Sequence, residues 1–182
     1  MIVNKIHTFF YGLIFLVSSS VYAQSFSVGG SAEYNLTIDA PGANFRGYYN
    51  IGREVCFGPE ITLSFPKKVV ENGFEEDAFI FETNLNAHYI FEVVEEKFSF
   101  YPLLGLNYTS ERIEFTELET GISETENEDF FGVNIGAGIH IPFKNVQPFI
   151  EYHYIAGELD EHVISVGLLY MLNRGRDEKE AH

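Results

Sequence analysis

The stretch from Phe130 to Phe143 alternates almost without a break. Phe131, Val133, Ile135, Ala137, Ile139, Ile141 and Phe143 share one parity; Gly132, Asn134, Gly136, Gly138, His140 and Pro142 share the other. Side chains of a β-strand alternate faces with period two, so this stretch predicts a strand with one oily face and one small or polar face. A soluble sheet turns the oily face inward. A chain that repeats the pattern between charged connections can invert it, with the oily face to lipid and the polar face to a closed interior.

The pattern does repeat. Phe26, Val28, Ala32, Tyr34 and Leu36 alternate with Ser25, Ser27, Gly29, Ser31, Glu33 and Asn35, and the turn cluster Asp39-Ala40-Pro41-Gly42 follows. Phe45, Gly47, Tyr49 and Ile51 oppose Asn44, Arg46, Tyr48 and Asn50, before a tight turn at Gly52-Arg53-Glu54. Val55, Phe57, Pro59, Ile61, Leu63 and Phe65 oppose Cys56, Gly58, Glu60, Thr62 and Ser64, and Lys67 to Asp77 reads as a polar, acidic loop. A fourth strand over Ala78 to Val93 sets Phe79, Phe81, Leu85, Tyr89 and Phe91 against Glu82, Asn84, Asn86, His88 and Glu92, a second set that no soluble core would take. A fifth strand from Phe98 to Tyr108, a long loop from Ser110 to Asp129, the opening stretch, a strand around Ile150 to Tyr154 and a last one from Ile164 to Leu172 complete the series.

Eight strands of about nine to fourteen residues have the length that crosses a bilayer at a tilt. Their connections alternate short and long, as periplasmic turns and outer loops do in a barrel threaded up and down. Helical periodicity appears nowhere after residue 23. The expected fold is all-β: an eight-stranded antiparallel up-and-down transmembrane β-barrel over residues 24–172.

The N-terminus sets the compartment. Lys5 and His7 precede an apolar run from Thr8 to Val17, then three serines and Val21-Tyr22-Ala23. This is the layout of a secretory signal cleaved after Ala23, and the run is too short to span roughly 30 Å of hydrocarbon. Residues 173–182 form a charged overhang, read as a periplasmic tail. The formal net charge is −16, one unit more negative without Lys5, and such a surface repels nucleic acid. Cys56 has no second cysteine to pair with; its parity puts it in the polar set as a small buried thiol.

The segment Ser165-Val166-Gly167-Leu168-Leu169-Tyr170-Met171-Leu172 resembles the C-terminal β-signal of outer-membrane proteins: a polar residue, Gly two later, then alternating aromatic or apolar positions. The family's final Phe is replaced here by Leu172. With Asn84 to Phe91 and Phe98 to Tyr108, the mature chain resembles the small eight-stranded OmpA/OmpX-like and porin-like barrels of Gram-negative bacteria. The resemblance implies the cell outer membrane as location, lipid and lipopolysaccharide as surroundings, insertion by the barrel-assembly machinery and a monomeric state. It says little about activity.

An eight-stranded barrel is just wide enough to be filled by its own side chains. The inward set contains Glu33, Glu60, Glu82, Glu92 and Glu151 with Arg46, His88, His140 and His153. Unpaired buried charges cost several kcal/mol each, so these residues are expected to form a hydrogen-bonded plug, with a proton or ion path along Glu and His as the sharper alternative. A first hairpin centred near Asp39-Ala40 sets Glu33 opposite Arg46; a turn centred on Asn145-Val146 sets His140 opposite Glu151. Outside the barrel, Ser110 to Asp129 carries Glu111, Glu114, Glu117, Glu119, Glu124, Glu126, Glu128 and Asp129 against Arg112 alone. A run of like charge reads as solvated and flexible. Binding of a divalent cation, at the weak end of the Ca²⁺ range, or of a surface ligand is its functional alternative.

Catalysis finds no foothold. His88, His140, His153 and His162 all lack the His-x-Ser of lipases of this shape, Asp160-Glu161-His162 lacks the second acidic pair of barrel proteases, and no nucleophile stands beside a base. No two-His metal spacing or phosphate loop occurs, and no cofactor is expected. The expectation is a non-enzymatic outer-membrane barrel with a structural or surface-interaction role through acidic outer loops. A narrow ion-conducting channel and a lipid-modifying enzyme are the alternatives.

Overall fold

In the computed structural model, which describes residues 24–71, 73–94 and 97–172, the alternating stretches form strands. The expected signal and the charged tail lie outside these residues. In chain order the strands are β1 (Gln24–Asn35), β2 (Ala40–Ile51), β3 (Val55–Ser64), β4 (Val69–Glu71), β5 (Phe74–Tyr89), β6 (Phe91–Val94), β7 (Phe98–Glu117), β8 (Ser123–His140), β9 (Val146–Gly157) and β10 (Glu161–Met171). All pairings are antiparallel. The eight long strands close a ring, because β1 pairs with both β2 and β10 and β5 pairs directly with β7. The fourth strand is thus two pieces: Ile90 breaks the ladder, donating its N–H to the Glu54 carbonyl (2.6 Å), and β6 resumes beyond it.

The sheet is inverted relative to a soluble protein. Phe45, Leu104, Phe131 and Ile135 stand exposed on the outer wall, whereas Glu60, Asn86, Asn134 and Glu151 are sealed inside. Aromatic clusters sit near both ends of the wall. Phe26, Tyr49 and Phe57 pack tilted and edge-on in a row near the Gln24 end of β1, at 5.3 and 5.6 Å; Tyr108–Phe131 (5.1 Å) and Phe65–Phe79 (5.9 Å) lie toward the other end. Aromatic rings at both rims of an apolar band are the girdles of a transmembrane barrel. One proline interrupts the wall. The β2–β3 ladder skips from Arg46↔Glu60 to Tyr49↔Phe57, where Pro59 has no N–H to give.

Strand length decides what lies beyond the membrane. A tilted crossing needs about 9–11 residues, which β1, β2, β3, β9 and β10 match with 10 to 12. By contrast β5, β7 and β8 run 16, 20 and 18 residues. The excess projects as a sheet in the order β4-β5-β7-β8. Sequence reading makes Ser110 to Asp129 a flexible loop; these residues are instead paired, from Ser110↔Asp129 to Thr116↔Ser123. Lys67 to Asp77 likewise contains β4 and the start of β5. Charge hides the strands, because a two-sided polar strand outside the bilayer has no apolar face to announce it.

Candidate functional site

Parity along each strand chooses the interior side chains, and one guanidinium organises them. Arg46 Nη1 lies 3.2 Å from Glu151 Oε1, and Nη2 lies 3.2 Å from Glu60 Oε2 and 3.4 Å from Glu33 Oε1. Its Nε donates to Asn44 Oδ1 (2.8 Å), and its carbon rests 4.4 Å from the centre of the Phe149 ring. Each carboxylate has further donors. Glu60 accepts from Tyr48 and from Asn86 (2.6 Å), Glu151 from Tyr101 (2.9 Å), and Glu33 from Ser165 (3.0 Å) and Thr62 (3.1 Å). Charge-assisted bonds of this kind are the strong ones, and this is the pairing that a buried ionic group requires.

Rings fill the lumen below this centre. Tyr48, His88, Tyr101, His140 and Phe149 follow one another with centroid spacings of 4.8, 4.7, 4.3 and 6.3 Å. Cys56 is buried beside them, its Sγ 3.6 Å from His88 Nδ1. Amides occupy the other half: Asn107 and Asn134 both donate to Asn84 Oδ1 at 2.8 Å. Glycines in β8 make room for the rings. A Cβ added at Gly138 would meet the Tyr101 ring at 2.3 Å, so Gly138→Ala should displace Tyr101 from Glu151. Overpacking of this kind costs about 1–3 kcal/mol, to be read as a lower urea midpoint in lipid vesicles.

The projecting sheet has two unlike faces. Cross-strand partners share a face, so Glu76↔Phe115↔Glu124 and Ile80↔Glu111↔Glu128 lie on the side that continues the barrel interior. Glu117 and Glu126 share it, and no Lys or Arg does among the described residues. The opposite side holds Arg112, Glu114 and Asp129, and there Lys68 bridges Glu75 and Asp77 at 2.9 Å each. Those contacts, Glu75 first, raise the Lys68 pKa. Lys67 and then Tyr34 hold the Asp39 carboxyl below its usual value at the neighbouring turn. Both pairs are solvent-exposed and screened by salt. One edge is open: β9 pairs with β8 only from Gly132↔Gly157 onward, leaving Ser123 to Phe131 with β7 on one side and nothing on the other among the described residues.

A closed ring of eight antiparallel strands with an apolar wall and a polar interior narrows the identity to a membrane barrel, and the sequence profile of the outer membrane protein beta-barrel domain matches residues 11–171. The chain belongs to that family. It is an outer membrane β-barrel. No curated protein matches it significantly. Among solved structures, it is similar to the crystal structure of Ail, the attachment invasion locus protein of Yersinia pestis, at 18% identity and TM-score 0.56, covering 82% of this chain and 97% of that one. A major outer membrane protein from Thermus thermophilus superposes at TM-score 0.64 with 12% identity, covering 83% and 100%. The N-terminal β-barrel domain of Pseudomonas aeruginosa OprF gives 0.57 at 18%, covering 81% and 97%. At these identities the likeness is one of fold.

For this outer membrane barrel, the expected interior residues divide. Glu33, Arg46, Glu60, Glu82, His88, His140, Glu151 and His153 are all buried, whereas Glu92 is exposed on β6, past the break at Ile90. Both expected cross-strand pairs are out of register: Glu33 faces Gly42 in place of Arg46, and His140 faces Phe149 in place of Glu151. Glu33 still reaches Arg46 diagonally, while Glu151 meets Arg46, Tyr101 and, at 3.8 and 3.9 Å, His153 and His88. Sequence reasoning missed Glu161, buried at the start of β10, because Gly157 to Glu161 reads as a loop between the last two strands. The eight carboxylates of Ser110 to Asp129 do not form one cluster: Glu119 lies in the turn, Asp129 accepts from Tyr108 (2.9 Å), and the rest are split between two faces. Among the described residues, no group of three or more His, Cys, Asp or Glu side chains is close enough to hold a metal ion.

Proposed function

We propose that this outer membrane barrel is a non-enzymatic surface-interaction protein whose working part is the projecting sheet, and that its partner is an extended polypeptide rich in Lys and Arg. The observation that carries this reading is the open β8 edge flanked by carboxylates. Nine residues of exposed strand, Ser123 to Phe131, offer unpaired backbone groups, and an edge of that kind accepts an added strand. The side chains beside it, Glu124, Glu126 and Glu128, repeat a negative charge at every second position, matching a partner strand with alternate basic residues. Ail has been crystallised with the heparin analogue sucrose octasulfate; the acidic sheet of this chain disfavours such a polyanion. Short turns at the end where Gln24 and Leu172 lie support a periplasmic position for that end, and with it a sheet that faces the outside. The interior supports a plugged barrel, with a secretory signal in residues 1–23 and assembly by the barrel-assembly machinery as the route to a monomer in the membrane.

The test uses the folded full chain in lipid vesicles and an alternating Lys-Val peptide. Binding should weaken at least tenfold when Glu124, Glu126 and Glu128 are changed to Gln, and should fall with salt. The same peptide methylated on its backbone nitrogens should bind poorly, since strand addition needs its N–H groups. Equal binding by both peptides would reduce the interaction to charge alone, and equal binding by the Gln variant would remove the sheet from the function.

A further inference from the structure

If a strand adds to the open β8 edge, as proposed above, the edge itself specifies which strand. Glu117 donates its N–H to the Ile122 carbonyl (2.9 Å), so Glu117↔Ile122 is a hydrogen-bonded pair that continues the register Thr116↔Ser123. Antiparallel pairs alternate between bonded and non-bonded. Glu124, Glu126 and Glu128 therefore commit their backbone groups to β7, whereas Ser123, Thr125, Asn127 and Asp129 direct theirs to the open side. Side chains alternate with the same period. The column beside the edge on the inner face reads Ile122, Glu124, Glu126, Glu128; on the outer face it reads Ser123, Thr125, Asn127, Asp129.

The far end of the inner column is apolar, and it has apolar neighbours. Ile122 is 62% exposed, and Phe74, 47% exposed, stands in the same row on the other side of Glu117. Phe115 lies one row nearer the membrane, between Glu76 and Glu124. Because β5, β7 and β8 outrun a bilayer crossing, this row meets water rather than lipid, and neighbouring apolar side chains exposed in such a place mark an interaction site.

We infer that the partner strand carries, on the parity that faces inward, basic residues at three alternate positions and then a large apolar residue two places on. Antiparallel addition, the sense of the pairings throughout this sheet, sets the first basic residue opposite Glu128 and the apolar one opposite Ile122. Directly opposed side chains have Cβ atoms about 4.5–5.5 Å apart, close enough for each Lys or Arg to pair with its carboxylate and for the apolar group to pack on Ile122. The other parity faces Ser123, Thr125, Asn127 and Asp129 and takes small polar residues. The ligand class is thus narrower than a basic chain: charge brings the strand to the edge, and the apolar residue fixes its register. A slip of two residues would set that residue against Glu124 or a basic one against Ile122, and a slip of one would turn every side chain to the wrong face.

The experiment uses the full chain folded in zwitterionic micelles and two end-capped peptides of identical composition. One reads Thr-Lys-Thr-Lys-Thr-Lys-Thr-Phe-Thr; in the other the Phe is exchanged with the Thr before it, which moves the ring to the outward parity. Equal composition gives both peptides the same charge and the same apolar content for the micelle. Amide ¹H–¹⁵N shifts at Ser123, Thr125 and Asn127 report occupation of the edge. The first peptide should bind about fivefold more tightly than the second, and Ile122→Ser should bring the two to the same affinity, with heat-modifiable migration checking that the variant is folded. Equal affinity of both peptides for the unmodified chain would overturn the inference and leave strand addition standing. A preference that survives Ile122→Ser would also overturn it, and edge amides that shift with neither peptide would overturn strand addition itself.

Discussion

Replacing Arg46 by Met should cost about 3–5 kcal/mol of folding stability, the range for removing one partner from a buried ionic cluster. The size follows from what is left behind. Glu33, Glu60 and Glu151 each lose a guanidinium contact of 3.2–3.4 Å, and none of them is near another Lys or Arg among the described residues. Met fills much of the same volume, so packing against Phe149 is largely kept and the loss reports charge. The chain has no Trp, so urea unfolding in vesicles is best followed by heat-modifiable migration. Adding Glu33→Gln, Glu60→Gln and Glu151→Gln to the Met variant should recover much of the loss, because a network removed as a unit is far cheaper than one broken. A variant that stayed as poor as Arg46→Met alone would mean that the guanidinium acts by shape.

Ile135→Arg should cost about 2–4 kcal/mol, the penalty for a basic residue near the bilayer midplane on the lipid face of a barrel. Ile135 is 52% exposed on the wall, between Leu104 and Tyr154, while its neighbour Asn134 is fully buried inside. Asn134→Arg carries no lipid penalty but overfills the lumen, so stability alone confounds the two. Single cysteines at positions 134 and 135, in a Cys56→Ser background, separate them: a lipid-phase thiol reagent should label position 135 and spare position 134. Labelling of both positions at the same rate would contradict the closed wall.

The sequence displayed the fold where one face met lipid. Alternation is set by the pleat, and a wall that is oily on one side only must write it into the residues, as from Phe130 to His140. Register was harder. A hairpin shifted by any even number of residues keeps every side chain on its face, so Glu33 could be assigned inward but not matched to Gly42. The projecting sheet was hardest. Glu124, Glu126 and Glu128 do alternate with Thr125 and Asn127, yet both sets are polar, and alternation between two polar kinds resembles a loop. The interior cluster was legible as a set of residues and not as contacts: Arg46 gathers acids from β1, β3 and β9, and only the closed ring brings those strands around it.

The pairing of β1 with β10, from Ser27↔Met171 to Asn35↔Val163, has a consequence for how the molecule is made. The first strand and the last are neighbours, so the seam cannot be sewn until the final residues have been delivered, and no shorter piece of the ring lacks an open edge. Contacts between chain ends carry the largest loop-closure entropy and slow the search. Until the seam forms, the chain must travel with its oily wall and two unpaired edges uncovered, the condition in which β-rich intermediates aggregate. Folding here is therefore a last-in event, and loss of the tenth strand should leave an aggregation-prone intermediate rather than a smaller barrel.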